Sequence, residues 1–338
     1  MPEFRKDIVT REWVILAKER SKKPSDFERI PKKEAPAHDS ICPFCPGNES
    51  MTPPEVLVYR KQGGIPNSPG WQVRVTPNKF PALLPEGDIH RRVYSTIFDL
   101  MDGVGVHEVV IENPYHDKSI DQLPIELVEE VLWSYRERYE TLMKDDRIKY
   151  IIIFRNHGRI AGSSLTHPHS QIVALPVIPQ RVWGKVHGVF QYYEYRENCV
   201  YCDMLTKERE AKERIISENS FFVALCPYAS RSPFQIMIVP KIHNQTFIEC
   251  KRHEIKALAH ILKEILIRLR EVLSDPPYNY TLINAPIERT DNSFHWHIDI
   301  FPRLSTPAGF EIGTGMYINT VLPEDAARYL KEIEVPIP

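Results

Sequence analysis

One ordered set of cysteines, histidines and apolar segments occurs twice in this chain, and that repetition limits its possible folds more than any other feature. A CxxC opens each half, Cys42 with Cys45 and Cys199 with Cys202. An apolar strand then leads to a histidine, His116 in HEVVIENPYH and His243 in FQIMIVPKIH. An amphipathic helical pattern follows. It runs through Val128, Val131, Leu132, Tyr135, Tyr139 and Leu142 in one half, and through Leu258, Ile261, Leu262, Ile265, Leu269 and Val272 in the other. A β-branched or aromatic segment, KYIIIFRN or YNYTLINAP, reads as a strand. An HxH at the head of a further strand closes the unit, from His167 in HPHSQIVALP and from His295 in FHWHIDIFP. The strand-end histidine precedes the first histidine of HxH by 51 residues in one half and 52 in the other. The cysteine-to-histidine gaps differ more, 71 against 41 residues, as insertions in surface loops allow. Repeats in this order predict an α+β fold of two similar domains, residues 1–177 and 195–338, joined by a linker at 178–194. Each is expected to be an antiparallel sheet with packed helices.

Each half offers two thiols and two imidazoles: Cys42, Cys45, His116 and His167, then Cys199, Cys202, His243 and His295. Cys₂His₂ sets suit tetrahedral zinc with every position filled by protein, so two structural zinc ions per chain are expected. His107 and His253 lie close enough in sequence to replace His116 and His243, and His90 is a remoter alternative. The remaining cysteines, Cys226 and Cys250, sit in apolar text and read as core thiols. A net charge of −2 gives no reason to expect nucleic acid or an anionic membrane as partner. No apolar run approaches the roughly 18 residues of a spanning helix, and the N-terminus has no signal-like core, so a cytoplasmic location is expected.

The first HxH has the makings of a nucleophile. Strand alternation puts His167, His169 and Gln171 on one face, so one imidazole can bind metal while its neighbour stays free. Neutral imidazole attacks phosphorus well near pH 7, and the phosphoramidate formed is reactive enough to pass the group on. Gln171 can donate to a phosphate oxygen without taking the proton of the nucleophile. The preceding NHGRIAGSSLTHPH, with Gly162, Ser163 and Ser164, supplies backbone and hydroxyl donors suited to a phosphate cradle. In the second half His297 holds the matching place, but Asp299 replaces the glutamine and no glycine-rich loop precedes it, so only the first half is expected to be catalytic.

THPHSQ, preceded by FRNHGRIAGSS, resembles the active-site segment of galactose-1-phosphate uridylyltransferases, a branch of the histidine triad superfamily. FRKDIVTREWVILAKERSKKP, CPFCPGNE, VTPNKFPALLP and ENPYH are similar to that family too, so the resemblance spans nearly the whole chain. It implies histidine-triad-like domains and ping-pong transfer of UMP from UDP-glucose to galactose 1-phosphate through His169. Gln171 and Ser164 would hold the α-phosphate, with Asn156, Gly162 and Ser163 in the cradle. Arg20 and Lys23 would meet phosphates, Asn78 the nucleoside, and Phe44 the base. The family's zinc set matches Cys42, Cys45, His116 and His167. A segment near Phe310 to Gly315, including Thr314, would reach the sugar of a partner subunit, implying a homodimer. Lys79 departs from the family's usual aspartate, and Thr314 and Gly315 from its tyrosine and glutamate. DPPYNY, the C-terminal text and the second CxxC also resemble plant ADP-glucose phosphorylases, which transfer AMP to phosphate. The rivals are a structural zinc-binding module, a hydrolase of the same superfamily, which would carry a third histidine at Gln171, and a thiol oxidoreductase.

Overall fold

The computed structural model describes residues 1–28, 35–289 and 291–335, so the last three residues of the expected second domain lie outside it. The first half contains β1 (Glu3–Lys6), β2 (Trp13–Leu16), β3 (Leu57–Arg60), β4 (Trp71–Pro77), β5 (Arg92–Tyr94), β6 (Phe98–Leu100), β7 (Val106–Ile111), α1 (Ile125–Leu142), β8 (Tyr150–His157) and β9 (His169–Leu175). There follow α2 (Gln180–Arg196), α3 (Val200–Ala211), β10 (Ile215–Glu218), β11 (Phe222–Leu225), β12 (Ile236–Pro240), α4 (Arg252–Leu273), β13 (Tyr278–Ile283), β14 (His297–Pro302), α5 (Gly309–Thr314), β15 (Tyr317–Asn319) and α6 (Pro323–Lys331).

To the large sheet each half contributes three strands before its long helix and two after it, and both reach the same order. The first half runs β3-β4-β7-β9-β8 and the second β10-β11-β12-β14-β13. The two sheets expected from the sequence are joined into one. Antiparallel pairing of β8 with β13, Asn156 opposite Asn279 and Arg155 opposite Tyr280, yields a continuous ten-stranded sheet. β1, β2 and β15 form a small separate sheet whose Val14 and Leu16 pack with Ala229 and Leu322 of the second half.

Helical periodicity decides which face is covered. α1 buries Val128, Val131, Leu132, Tyr135 and Tyr139, and α4 buries Leu258, Ile261, Leu262, Ile265 and Leu269, in one cluster shared by both halves. Cys226 and Cys250 lie in this cluster, as core thiols should. Truncating a side chain such as Leu262 to Ala should cost about 2–5 kcal/mol here. Residues 178–194, expected as a linker, hold most of α2 instead. Val182, Val186 and Val189 of α2 join Val200, Tyr201 and Leu205 of α3 on the opposite face of the second half. Gly188 makes that docking possible, because a Cβ there would lie 1.8 Å from the Val9 carbonyl oxygen. The opposite face of the first half carries Cys42, Phe44, Cys45, Trp71, Val109 and Ile111, and the candidate site lies there.

Candidate active site and metal centres

β9 alternates cleanly across the sheet. Ile172 and Ala174 enter the helix-side core, and the Ser170 hydroxyl meets that of Tyr135 on α1. His169 and Gln171 therefore face the other way. Behind the strand, Ser170 donates to Glu112 (2.7 Å), which accepts from Arg155 at 2.9 and 3.0 Å. Arg155 also reaches Ser119 and, from the second half, Tyr278. This buried network ties β9 to the seam between halves.

His169 is 5% exposed, and its Nδ1–H donates to the His167 carbonyl at 2.9 Å. That bond assigns the proton to Nδ1 and puts the lone pair on Nε2. Burial lowers the pKa of His169, and the His167 carbonyl and Glu112 only partly oppose it, so the ring is held neutral. Phe44, expected against a base, packs edge-on to His169 with ring centroids 5.3 Å apart. The carboxamide of Gln171 has its Oε1 2.7 Å from His107 Nε2.

Gly162 in the loop before β9 has a φ of 94°, a left-handed conformation that side-chain-bearing residues rarely adopt. Ser163 is already committed within the loop: its N–H donates to the Gly158 carbonyl and its hydroxyl to that of Leu165. Ser164 remains exposed. Asn156 lies at the end of β8, where its Oδ1 accepts from Asn279 of β13 (2.8 Å). Asn279 also donates to the Ala161 carbonyl at 2.7 Å. The second half thus buttresses the loop through a residue that sequence reading did not single out. Asn78 donates its backbone N–H to the His107 carbonyl and accepts the Phe80 N–H on Oδ1.

Arg20 and Lys23 are exposed and stand apart from this cluster. Lys22, between them, donates its backbone N–H to Thr320, so their segment runs beside the end of β15. Phe310 and Thr314 are exposed on α5, where the Thr314 hydroxyl donates to the Phe310 carbonyl. Among the described residues, no hydrogen bond or ion pair joins these four to His169.

Both Cys₂His₂ sets come together. The ligand atoms of Cys42, Cys45, His116 and His167, and those of Cys199, Cys202, His243 and His295, lie within 4.8 Å of one another. The alternatives His107, His253 and His90 belong to neither cluster. Nδ1 of His116 and His167 lie 3.3 and 3.5 Å from the Cys45 sulfur, and sulfur–nitrogen distances in the second set are 3.6–3.7 Å. A tetrahedral ion with bonds of about 2.3 Å to sulfur and 2.0 Å to nitrogen separates such atoms by about 3.5 Å, so the donors fit. The Nε2–H groups of His167, His243 and His295 donate to the carbonyls of Asn113, Asn292 and Pro240, which turns each Nδ1 inward.

The second HxH repeats the backbone setting of the first: His297 Nδ1–H donates to the His295 carbonyl at 3.0 Å. Its Nε2 is covered, however. The Lys185 ammonium on α2 lies 2.9 Å from that nitrogen and 2.8 Å from Asp299 Oδ2. Among the described residues nothing hydrogen-bonds Nε2 of His169, whereas the lone pair of His297 is engaged.

Among the described residues no helix is long and apolar enough to cross a membrane. The family described as galactose-1-phosphate uridyl transferase, N-terminal domain, matches residues 1–179, and a domain of unknown function (DUF4921) matches residues 131–334. The chain is 36% identical to the ADP-glucose phosphorylase of Arabidopsis thaliana over 99% of its own length and 93% of that protein's. It is 31% identical to the galactose-1-phosphate uridylyltransferase of Thermotoga maritima over the full length of both. The crystal structure of an Arabidopsis thaliana ADP-glucose phosphorylase with bound ADP-glucose superposes with a TM-score of 0.83 at 34% identity, over 99% of this chain and 100% of that one. The twice-used strand order, the first HxH with its free imidazole nitrogen and these similarities agree, and the chain belongs to the galactose-1-phosphate uridylyltransferase family of nucleotidyltransferases.

Proposed function

We propose that the protein exchanges UMP between UDP-glucose and galactose 1-phosphate by a ping-pong route through His169. The observation that carries this reading is the open Nε2 of a neutral, buried imidazole whose other nitrogen is tied to the His167 carbonyl. Nε2 attacks the α-phosphorus, an N–P bond forms, and the bond to the bridging oxygen breaks to release glucose 1-phosphate. The ring becomes cationic, and its Nδ1–H bond to the His167 carbonyl stabilises that charge. A phosphate oxygen of galactose 1-phosphate then attacks, breaks the N–P bond and carries UMP away. No proton has to leave His169 in either step. Gln171 and Ser164 are placed in this reading as donors to the α-phosphate oxygens, with Asn156, Gly162 and Ser163 shaping the cradle. Asn78 and Phe44 border the nucleoside.

Arg20, Lys23, Phe310 and Thr314 are exposed, beside β15 and on α5, and form no hydrogen bond or ion pair with the site of their own chain among the described residues, which supports a homodimer in which they serve the site of the partner. The two Cys₂His₂ sets would hold zinc, and four protein ligands each make it a cross-link between distant segments, without an open position for substrate.

Adenylyl transfer from ADP-glucose to phosphate is the second reading, favoured by the 36% identity with the plant enzyme against 31% with the bacterial uridylyltransferase. Half-reaction exchange separates the two. With UDP-glucose, labelled glucose 1-phosphate and labelled galactose 1-phosphate should both enter nucleotide sugar. Exchange with ADP-glucose alone, and no entry of galactose 1-phosphate, would overturn the uridylyl reading.

A further inference from the structure

His107 lies on β7 opposite Val173, two residues along the ladder from the pairing of Val109 with Gln171, so His107 and Gln171 share a face as diagonal cross-strand neighbours. It is half-buried and stands outside both Cys₂His₂ clusters. Its ring is fixed from both ends. The backbone N–H of Ala82 points to Nδ1 at 3.2 Å, which makes that nitrogen an acceptor. The proton therefore sits on Nε2, and Nε2–H donates to Gln171 Oε1 at 2.7 Å. Among the described residues no protein acceptor pairs with Nε2 of Gln171, so its NH₂ group is left for a ligand. Asn78 Nδ2 lies 3.1 Å from the same His107 nitrogen, but with the proton on Nε2 this is a contact between two donors and not a hydrogen bond.

We propose that His107 is a positioning residue for nucleotidyl transfer: it holds the Gln171 carboxamide with its oxygen turned away and its NH₂ turned toward the phosphate on His169. Without that donor the amide is free to rotate, and half of its orientations present a carbonyl oxygen to an anionic phosphate. The second half supports the assignment by contrast. Met237 of β12 pairs with Asp299 as Val109 pairs with Gln171, so Gln235, just before β12, matches His107; its Oε1 accepts the Arg231 N–H instead. Asp299, in the place of Gln171, pairs with Lys185. Where the amide has been lost, so has its histidine.

This proposal rests on His169 as nucleophile, and its test keeps the two apart. Rapid-quench measurement of nucleotidyl-protein formation from UDP-glucose or ADP-glucose would compare the wild type with His107→Phe and His107→Gln, each checked for melting temperature and metal content. His107→Phe should slow adduct formation about 10- to 100-fold with KM changed less than about threefold, and His107→Gln, which restores a donor, should recover most of the rate. In a Gln171→Ala background His107→Phe should cost no more than about twofold, because the amide it positions is gone. Wild-type rates in His107→Phe, or losses that multiply in the double variant, would overturn the proposal. Long-range ¹H–¹⁵N spectra of the unaltered protein decide it even if a variant fails to fold. An Nε2–H tautomer at His107 is expected, and an Nδ1–H tautomer would overturn it. Failure of the wild type to form any adduct would count against His169 and leave the tautomer measurement to judge His107.

Discussion

His169 and His297 have the same backbone setting, each tied through Nδ1–H to the carbonyl two residues before it and each beside a Cys₂His₂ cluster. What stands over Nε2 separates them. On His169 the nitrogen is open and an uncharged amide lies two residues on. On His297 the nitrogen meets the Lys185 ammonium, and Asp299 completes a partly buried ion pair. Burial, and then Lys185, lowers the pKa of His297; at Asp299 burial raises the pKa, but Lys185 and His297 outweigh it. In the proposed reading the second half keeps the histidine but not the free lone pair that the chemistry needs. One lysine from a helix that the first half lacks is enough to engage the lone pair.

The contrast breaks most directly at the nucleophiles. His169→Ala should lower overall transfer by at least about 10⁴-fold, whereas His297→Ala should change adduct formation by less than about threefold. Steady-state assays of the two variants check this, and equal losses would dissolve the distinction. The amide comes next. Gln171→Ala should cost about 10²- to 10³-fold in kcat through loss of a donor to transition-state charge, with KM changed much less.

The metal sites sharpen the comparison in a different way, because there the halves should behave alike. Elemental analysis should find about two zinc ions per chain, falling to about one in either Cys42→Ser or Cys199→Ser. Both variants should melt earlier. Cys42→Ser should also impair adduct formation, since His167 of its cluster supplies the carbonyl that orients His169, while Cys199→Ser should spare the intrinsic rate of the folded enzyme. The smallest effect concerns pH. The folded pKa of His169 lies below the ordinary 6.5, so the neutral nucleophile persists as pH falls through that value. Any acid loss of adduct formation that follows His169 should have its half-point below pH 6.5, and a half-point above 6.5 would contradict the burial argument.

Much of this arrangement was legible in the sequence because it depends on local spacing. The two Cys₂His₂ clusters, the face shared by His169 and Gln171 and the two long helices follow from residue order and from periods of 2.0 and 3.6. What escaped depends on distant segments meeting. The fusion of two sheets at β8 and β13 is a register between strands over a hundred residues apart, for which neither strand carries a signal. Glycines 184 and 188 disfavour a helix in isolation, yet packing against Val9 makes Gly188 a requirement of α2. His107, Lys185 and Asn279 are single polar residues whose partners lie on other elements, so spacing could not reveal them. His107 was visible only as a possible ligand near His116, and its bond to Gln171 needed the β7–β9 register.

The central claim is that one half of a duplicated fold carries the nucleotide covalently on His169, and intact-protein mass spectrometry after mixing with UDP-glucose, and separately with ADP-glucose, tests it most directly. The account predicts one UMP per chain from UDP-glucose, mapped to His169, absent in His169→Ala, retained in His297→Ala and discharged by galactose 1-phosphate. An adduct of AMP alone would change the base and leave the histidine in place. No adduct from either nucleotide sugar on folded, metal-replete protein, or an adduct that survives in His169→Ala, would contradict it.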